Sequence, residues 1–202
     1  MVHLRSIRLP DDDTLPDAFP FNVPVVRSLE EMTFTTPVTF FVGENGSGKS
    51  TLLEAIAVGA NLPTIGSQDT DTDSTLNGIR LLSNRLKWVW NRSRVRTGFF
   101  MRSEDFFGFA KRISQMMGSM KRDYESDEGH DGQSELARRL SKQAYAREIR
   151  AMRDLYGDGL DAQSHGESYF KLFRARFRPG GLYLMDEPEA PLSPNRQLML
   201  LA

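Results

Sequence analysis

The chain has 202 residues, 39% of them hydrophobic and 26% charged, with a formal net charge of −1, which suits one sizeable globular core and gives no overall basic field for nucleic acid. It has no cysteine, which excludes disulfides, thiol catalysis and cysteine-ligated metals. The sequence has neither an apolar run of membrane-spanning length nor an apolar signal core, so we expect a cytoplasmic protein without a membrane segment.

The first forty residues predict short strands separated by a loop. His3 to Leu9 alternates loosely between apolar and basic residues, which indicates an early strand. Residues 11–20 are rich in aspartate and proline and predict a loop, and Val23 to Val26 predicts a second strand. Val38 to Val42 is β-branched and aromatic, which is typical of a buried strand.

A glycine-rich loop follows directly. Residues 43–50 read GENGSGKS and match the phosphate-binding pattern G-x-x-x-x-G-K-[ST]. Its glycines allow backbone N–H groups to point at phosphate oxygens, and a side chain at Gly46 or Gly48 would restrict φ or block close approach. Lys49 reaches the β- and γ-phosphates, as a binding and candidate catalytic residue, and Ser50 supplies a hydroxyl to Mg²⁺. The predicted nucleotide contacts are Gly43, Glu44, Asn45, Gly46, Ser47, Gly48, Lys49, Ser50 and Thr51.

The surroundings of this loop favour a nucleotide site over a flexible glycine turn. A predicted strand precedes it, and apolar residues recur at helical spacing after it, from Leu52 to Ala57. Gly59 and Pro63 mark the end of that helix. The positive end of the helix would face the same anion as the loop.

A basic stretch lies in the middle of the chain, after a loop predicted at 64–75. It runs from Ile79 to Arg102 without an acidic residue and includes Trp88 and Trp90. Phosphate contacts and base stacking would make it a nucleic-acid surface. The other interpretation is a solvated face whose tryptophans belong to the core, and both remain open.

The segment 103–160 predicts a helical subdomain inserted into a single domain that spans 1–202. Apolar residues recur at helical spacing on both sides of an acidic turn near 123–133. Phe106, Phe107 and Phe109 are expected to pack inside this insertion.

Two further segments carry candidate chemistry. Gly181 to Pro188 is an apolar run that ends in two carboxylates, as in a buried parallel strand that delivers acids to a ligand site. Asp186 would hold Mg²⁺, and Glu187 would act as general base on the attacking water. A surface pair of acids is the alternative.

The second segment is a Ser-x-Gly turn. Ser164 and Gly166 begin a predicted helix, and this position presents a hydroxyl, N–H groups and a dipole to an anion. An ordinary helix N-cap uses the same residues.

Together the phosphate loop, the Ser164 turn and the acidic strand resemble the ABC-type ATPase superfamily. The short insertion and the string Phe99 to Glu104 resemble the predicted AAA/ABC-like ATPases related to the SMC and RecF repair proteins. The resemblance implies an α/β fold, namely a P-loop NTPase core of ABC type with an antiparallel N-terminal strand region. It also implies an ATP-dependent homodimer, in which Ser164 and Gly166 of one copy close over MgATP held by the other.

The sequence departs from this family in several places. His165 stands where the signature usually has glycine. Glu104 is the nearest polar candidate for the Mg²⁺-sensing position, whereas Gln68 lies in the acidic loop. The family's switch histidine follows the acidic strand, but this sequence ends at Ala202. We therefore expect either a chain truncated after that strand or a copy that lacks the switch.

The leading prediction is Mg²⁺-dependent ATP hydrolysis by an ATP-sandwich dimer. A non-hydrolysing nucleotide switch and an ATP-gated DNA-repair module, acting on DNA or a partner protein, are the alternatives. A small-molecule kinase would leave both Asp186-Glu187 and the Ser164 turn unexplained.

Overall fold

The computed structural model describes residues 1–10, 15–65, 76–91, 95, 97–125, 135–157 and 165–201. Its elements in chain order are β1 (Leu4–Arg8), α1 (Pro24–Arg27), β2 (Glu31–Thr33), α2 (Lys49–Ala60), β3 (Thr64–Ile65), α3 (Asn77–Arg85), β4 (Lys87–Trp90), β5 (Gly98–Arg102), α4 (Ser103–Glu125), α5 (Glu135–Tyr156), α6 (His165–Arg176), β6 (Leu182–Asp186) and α7 (Pro194–Leu201). Two compact units are present: the first contains residues up to 102 together with 178–186, and the second contains 103–177 and the chain from 187 onward.

The first unit contains an antiparallel sheet in the order β2-β1-β4. β1 is the central strand, and Ile7 lies opposite Met32 on one side and Trp88 on the other. Leu4, Ser6 and Ile7 are buried, and the pairing of β1 with β4 shifts register between Leu4 and Ser6, so burial along β1 does not follow a simple alternation. The early strand predicted at His3 to Leu9 is therefore confirmed.

A parallel sheet in the order β3-β5-β6 forms the other layer of strands in this unit. Phe100 and Met101 in the central strand β5 are fully buried. The register of β5 on β6 places Arg102 opposite Asp186. The acidic strand is parallel, as predicted, but its residues are half-buried; among the described strands, β6 pairs only with β5.

Two predicted strands are wrong. Val23 to Val26 falls largely in the short helix α1, because Pro24 fixes a φ that suits the first turn of a helix and lacks the N–H that a strand would use. Val38 to Val42 forms no strand and has no ladder partners among the described residues. Val38, Phe40 and Val42 are 64%, 68% and 92% exposed, and Phe41 packs against the core.

The helix α2 links the phosphate loop to the hydrophobic core of the first unit. It packs against α3, β5 and β6, and its buried face carries Leu52, Ala55, Ile56, Ala57 and Ala60. A β-carbon at Gly59 would lie 2.1 Å from Cζ2 of Trp88, so glycine allows the indole to lie against the helix. The helix ends where Asn61 adopts a left-handed φ of 55° and donates its N–H to the carbonyls of Ala57 and Val58.

The second unit is helical, with α4 against α5 and α5 against α6. The ring of Tyr169 lies between Phe106 and Phe173, edge to face, with centroid distances of 4.7 and 4.5 Å. Phe106 is buried and Phe109 contacts Tyr156, as predicted for packing residues; the side chain of Phe107 lies outside the described set. None of the described helices is long and apolar enough to cross a membrane.

Candidate nucleotide-binding site

The phosphate loop turns into α2 through two glycines with left-handed backbone. Gly46 has φ of 79° and Gly48 has φ of 99°, values that residues with a β-carbon rarely adopt. Gly48 is the N-cap of α2, and its carbonyl accepts the N–H of Leu52 at 3.0 Å. The pattern of glycines in the sequence therefore corresponds to a backbone that needs them.

The two glycines differ in the space around them. A β-carbon on Gly48 would lie 2.5 Å from Cγ1 of both Val23 and Val25, whereas one on Gly46 would meet nothing within 4 Å. At Gly43, a β-carbon would lie 3.1 Å from the Ser47 hydroxyl oxygen. Gly48 is therefore constrained both by its φ and by the packing of the α1 region, while Gly46 is constrained by φ alone.

Lys49 is held at the loop by backbone carbonyls. Its Nζ donates to the carbonyl oxygens of Gly43 at 2.9 Å and Glu44 at 2.8 Å. An ammonium group has three N–H donors, so these two bonds leave one donor for an acceptor such as a phosphate oxygen. The positive charge is thus fixed over the loop that the motif predicts to hold phosphates.

The N-terminus of α2 suits an anion. Its N-cap makes no side-chain hydrogen bond, and its first turn contains no acidic residue. The backbone N–H groups of a first helical turn lack partners within the helix, and the helix dipole is positive there. Combined with the left-handed glycines and Lys49, this arrangement fits the phosphates of a nucleotide.

Asp186 is the last residue of β6 in the first unit and is half-buried. The carboxyl ends of parallel strands share one edge of the sheet, where ligands bind in open α/β folds. α2, which carries Ser50, packs against β6. Within the described residues, no group of three or more His, Cys, Asp or Glu comes together. A metal at Ser50 and Asp186 would therefore need phosphate and water oxygens as further ligands, as Mg²⁺ usually does.

Arg102, at the end of β5, is a residue that sequence reasoning missed. Its guanidinium forms an ion pair of 2.5 Å with Glu54, and the two side chains are only 14% and 17% exposed. It also lies 5.5 Å from the ring centroid of Phe100. Because Glu54 is one turn beyond Ser50 on α2, this pair ties the phosphate-loop helix to the sheet. The sequence offered two signals for this pair: an acidic residue one helical turn after Ser50 and a basic residue at the end of a strand.

Glu187 begins the second segment of the other unit and adopts a left-handed φ of 49°. Its side chain is exposed. Its carbonyl accepts the Ala190 N–H at 3.0 Å and also the Ser103 hydroxyl. The sequence indicated the carboxylate of Glu187 but gave no sign that Ser103, 84 positions earlier, holds its peptide.

Other predicted residues fall as follows. Ser164 lies outside the described residues, and Gly166 is in the first turn of α6, which begins at His165. Glu104 is exposed in the first turn of α4. Gln68 and the acidic loop around it lie outside the described residues, and so do three arginines of the basic stretch, Arg92, Arg94 and Arg96.

The two tryptophans of the basic stretch belong to the core. Their rings stack with centroids 6.3 Å apart and planes at 18°, and both pack against buried residues of the first unit. The Trp88 indole N–H donates to the Ser83 carbonyl at 3.3 Å. This favours the core interpretation of Trp88 and Trp90 over a base-stacking surface.

The mixed α/β fold and the loop geometry are consistent with a P-loop NTPase-like fold. Residues 22–85 match the family described as an AAA domain, a segment that runs from the approach to α1 through the phosphate loop to the end of α3. The match supports an AAA-type, ATPase-like protein. The chain matched no curated protein and no solved structure.

Proposed function

We propose that this protein binds MgATP and hydrolyses it as an ATPase of the ABC/SMC-like type. The observation that carries the proposal is the phosphate loop, where two left-handed glycines and a carbonyl-anchored Lys49 meet the uncapped start of α2. Backbone N–H groups at such a helix start bind phosphate in nucleotide-binding folds. The AAA-domain match over the same residues supports ATP as the nucleotide.

Each proposed role follows from the chemistry of the side chain. Lys49 would neutralise charge on the β- and γ-phosphates, since its ammonium already lies over the loop. Ser50 and Asp186 would hold Mg²⁺, which neutralises charge on the phosphate oxygens. Glu187 would accept the proton of the attacking water. Its exposed carboxylate and its unusual backbone support this role, because left-handed backbone at residues other than glycine clusters at functional sites.

We further propose that a second copy completes the site. Residues 43–46 are exposed, and an exposed phosphate site leaves the bound nucleotide open to bulk water. Closure by another subunit would exclude that water and strengthen the electrostatic interactions inside. The resemblance assigns this closing role to Ser164 and Gly166 of the partner copy, and ATP would then stabilise the dimer.

The test compares three variants by phosphate release and by gel filtration with ATP. Glu187→Gln should lose turnover while keeping ATP, and should therefore accumulate as ATP-dependent dimers. Lys49→Ala should lose ATP binding and every effect that depends on it. Glu189→Gln is the matched control, because Glu189 is an exposed carboxylate two residues away.

Each alternative has its own result. If Glu187→Gln turned over like the wild type and formed no ATP-stabilised dimer, the ABC-type mechanism would be wrong. Binding of ATP by the wild type without any phosphate release would favour a non-hydrolysing nucleotide switch. Full ATP affinity in Lys49→Ala would contradict the assignment of the phosphate loop itself.

A further inference from the structure

The turn that carries Glu187 is held by a side-chain hydrogen bond from a distant part of the sequence. The Ser103 hydroxyl, at the first residue of α4, donates to the carbonyl oxygen of Glu187. The same oxygen accepts the Ala190 N–H at 3.0 Å. Both lone pairs of this carbonyl are therefore used, and the Glu187 peptide is fixed in orientation.

The backbone at Glu187 needs such support. Its φ of 49° is unfavourable for a residue with a β-carbon and persists only where the surroundings hold it. The direction of the side chain from its Cα depends on the orientation of this backbone. A change at the Ser103 bond would therefore re-aim the carboxylate without removing it.

Ser103 lies next to the aromatic core of the second unit. Tyr169, whose side chain is fully buried, presents its phenol oxygen near the Ser103 hydroxyl. That oxygen makes no hydrogen bond of good geometry. The rings of Phe106 and Phe173 hold the phenol in place.

We propose that Ser103 is a positioning residue for hydrolysis, which fixes the Glu187 backbone so that the carboxylate faces the attacking water. The inference rests on the proposed role of Glu187 as general base. Ser103 acts on the rate of hydrolysis alone, because it contacts the Glu187 peptide and takes no part in the phosphate loop of the first unit.

The experiment measures kcat, KM and the equilibrium affinity for ATP in Ser103→Ala and Ser103→Thr. Misplacing a catalytic group by about 1 Å costs up to roughly a hundredfold in rate, so Ser103→Ala should lower kcat about ten- to a hundredfold with KM and ATP affinity within about twofold. Ser103→Thr keeps the hydroxyl and should restore most of the rate. Ser103→Cys, which is close in size but a weak donor, should behave like the alanine variant and serves if that variant does not fold.

A double variant separates positioning from general damage. In the Glu187→Gln background, Ser103→Ala should cause no further loss of the residual rate, because the carboxylate that it positions is gone. An unchanged kcat in both Ser103→Ala and Ser103→Cys would overturn the proposal, and so would an equal loss in the presence and absence of the Glu187 carboxylate. Wild-type turnover in Glu187→Gln would instead overturn the proposed function, whatever Ser103→Ala does.

Discussion

The ion pair between Arg102 and Glu54 should stabilise the first unit measurably. Exposed pairs contribute about 0–1 kcal/mol, whereas removing one partner of a buried pair destabilises by about 3–5 kcal/mol. With side chains 14% and 17% exposed at a separation of 2.5 Å, Arg102→Met and Glu54→Gln should each lower the free energy of unfolding by about 2–3 kcal/mol. For a chain of this size that corresponds to a Tm lower by about 4–12 °C.

Urea unfolding of both single variants and the double variant gives the coupling between the two charges. We expect a coupling of about 1–2 kcal/mol, since the double variant leaves no unpaired buried charge. The matched control is the exposed helical pair of Lys121 and Glu125, 3.9 Å apart, where Glu125→Gln should change stability by less than about 0.5 kcal/mol. Additive losses at Arg102 and Glu54 would refute the reasoning, and would assign the effect of Arg102 to its packing over Phe100.

Three further predictions follow from single positions. Gly48→Ala should abolish ATP binding in a titration, because both its φ of 99° and its close contacts forbid a β-carbon. Gly46→Ala has open space around it and should cost only about 1 kcal/mol of backbone energy. Equal losses of ATP affinity in the two variants would contradict this distinction. Gly59→Ala should displace the indole of Trp88, seen as a shift in tryptophan fluorescence, and an unchanged spectrum would show that the helix yields instead. Burial raises the pKa of Tyr169 above its usual value. Above about pH 10 the unfolded chain therefore loses the phenol proton while the folded protein keeps it, so the free energy of unfolding is highest below pH 10 and falls as pH rises beyond it. In urea unfolding, the free energy of unfolding of Tyr169→Phe should rise relative to that of the wild type by on the order of 1 kcal/mol between pH 8 and pH 11. A difference between the two proteins that does not change with pH would count against a buried, protonated phenol.

Local patterns predicted the parts of this fold that depend on neighbours in sequence. The spacing of apolar residues after the loop located α2, and the glycine pattern anticipated the left-handed backbone at Gly46 and Gly48. The apolar run before Asp186 located β6. In each case the structure depends on residues that are close together in the sequence, so the local pattern is enough to predict it.

Features that depend on distant partners were missed or wrong. Val38 to Val42 has strand composition, but a strand also needs neighbours to pair with, and a single segment says nothing about them. Arg102 and Ser103 are adjacent in sequence, yet their partners Glu54 and Glu187 lie far along the chain on opposite sides. Such contacts are set by the packing of elements, which composition and periodicity do not encode.

The anchoring of Lys49 to the carbonyls of Gly43 and Glu44 has a thermodynamic consequence for recognition. A free lysine side chain loses about 1.5–2 kcal/mol of rotamer freedom when a ligand immobilises it. Here the side chain is ordered before the nucleotide arrives, so most of this entropy is lost when the protein folds and not when ATP binds. The Kd for the nucleotide is therefore roughly ten- to thirtyfold lower than it would be with a free lysine side chain. The loop is therefore a preorganised receptor, and its selectivity for phosphate resides in geometry that exists in the free protein.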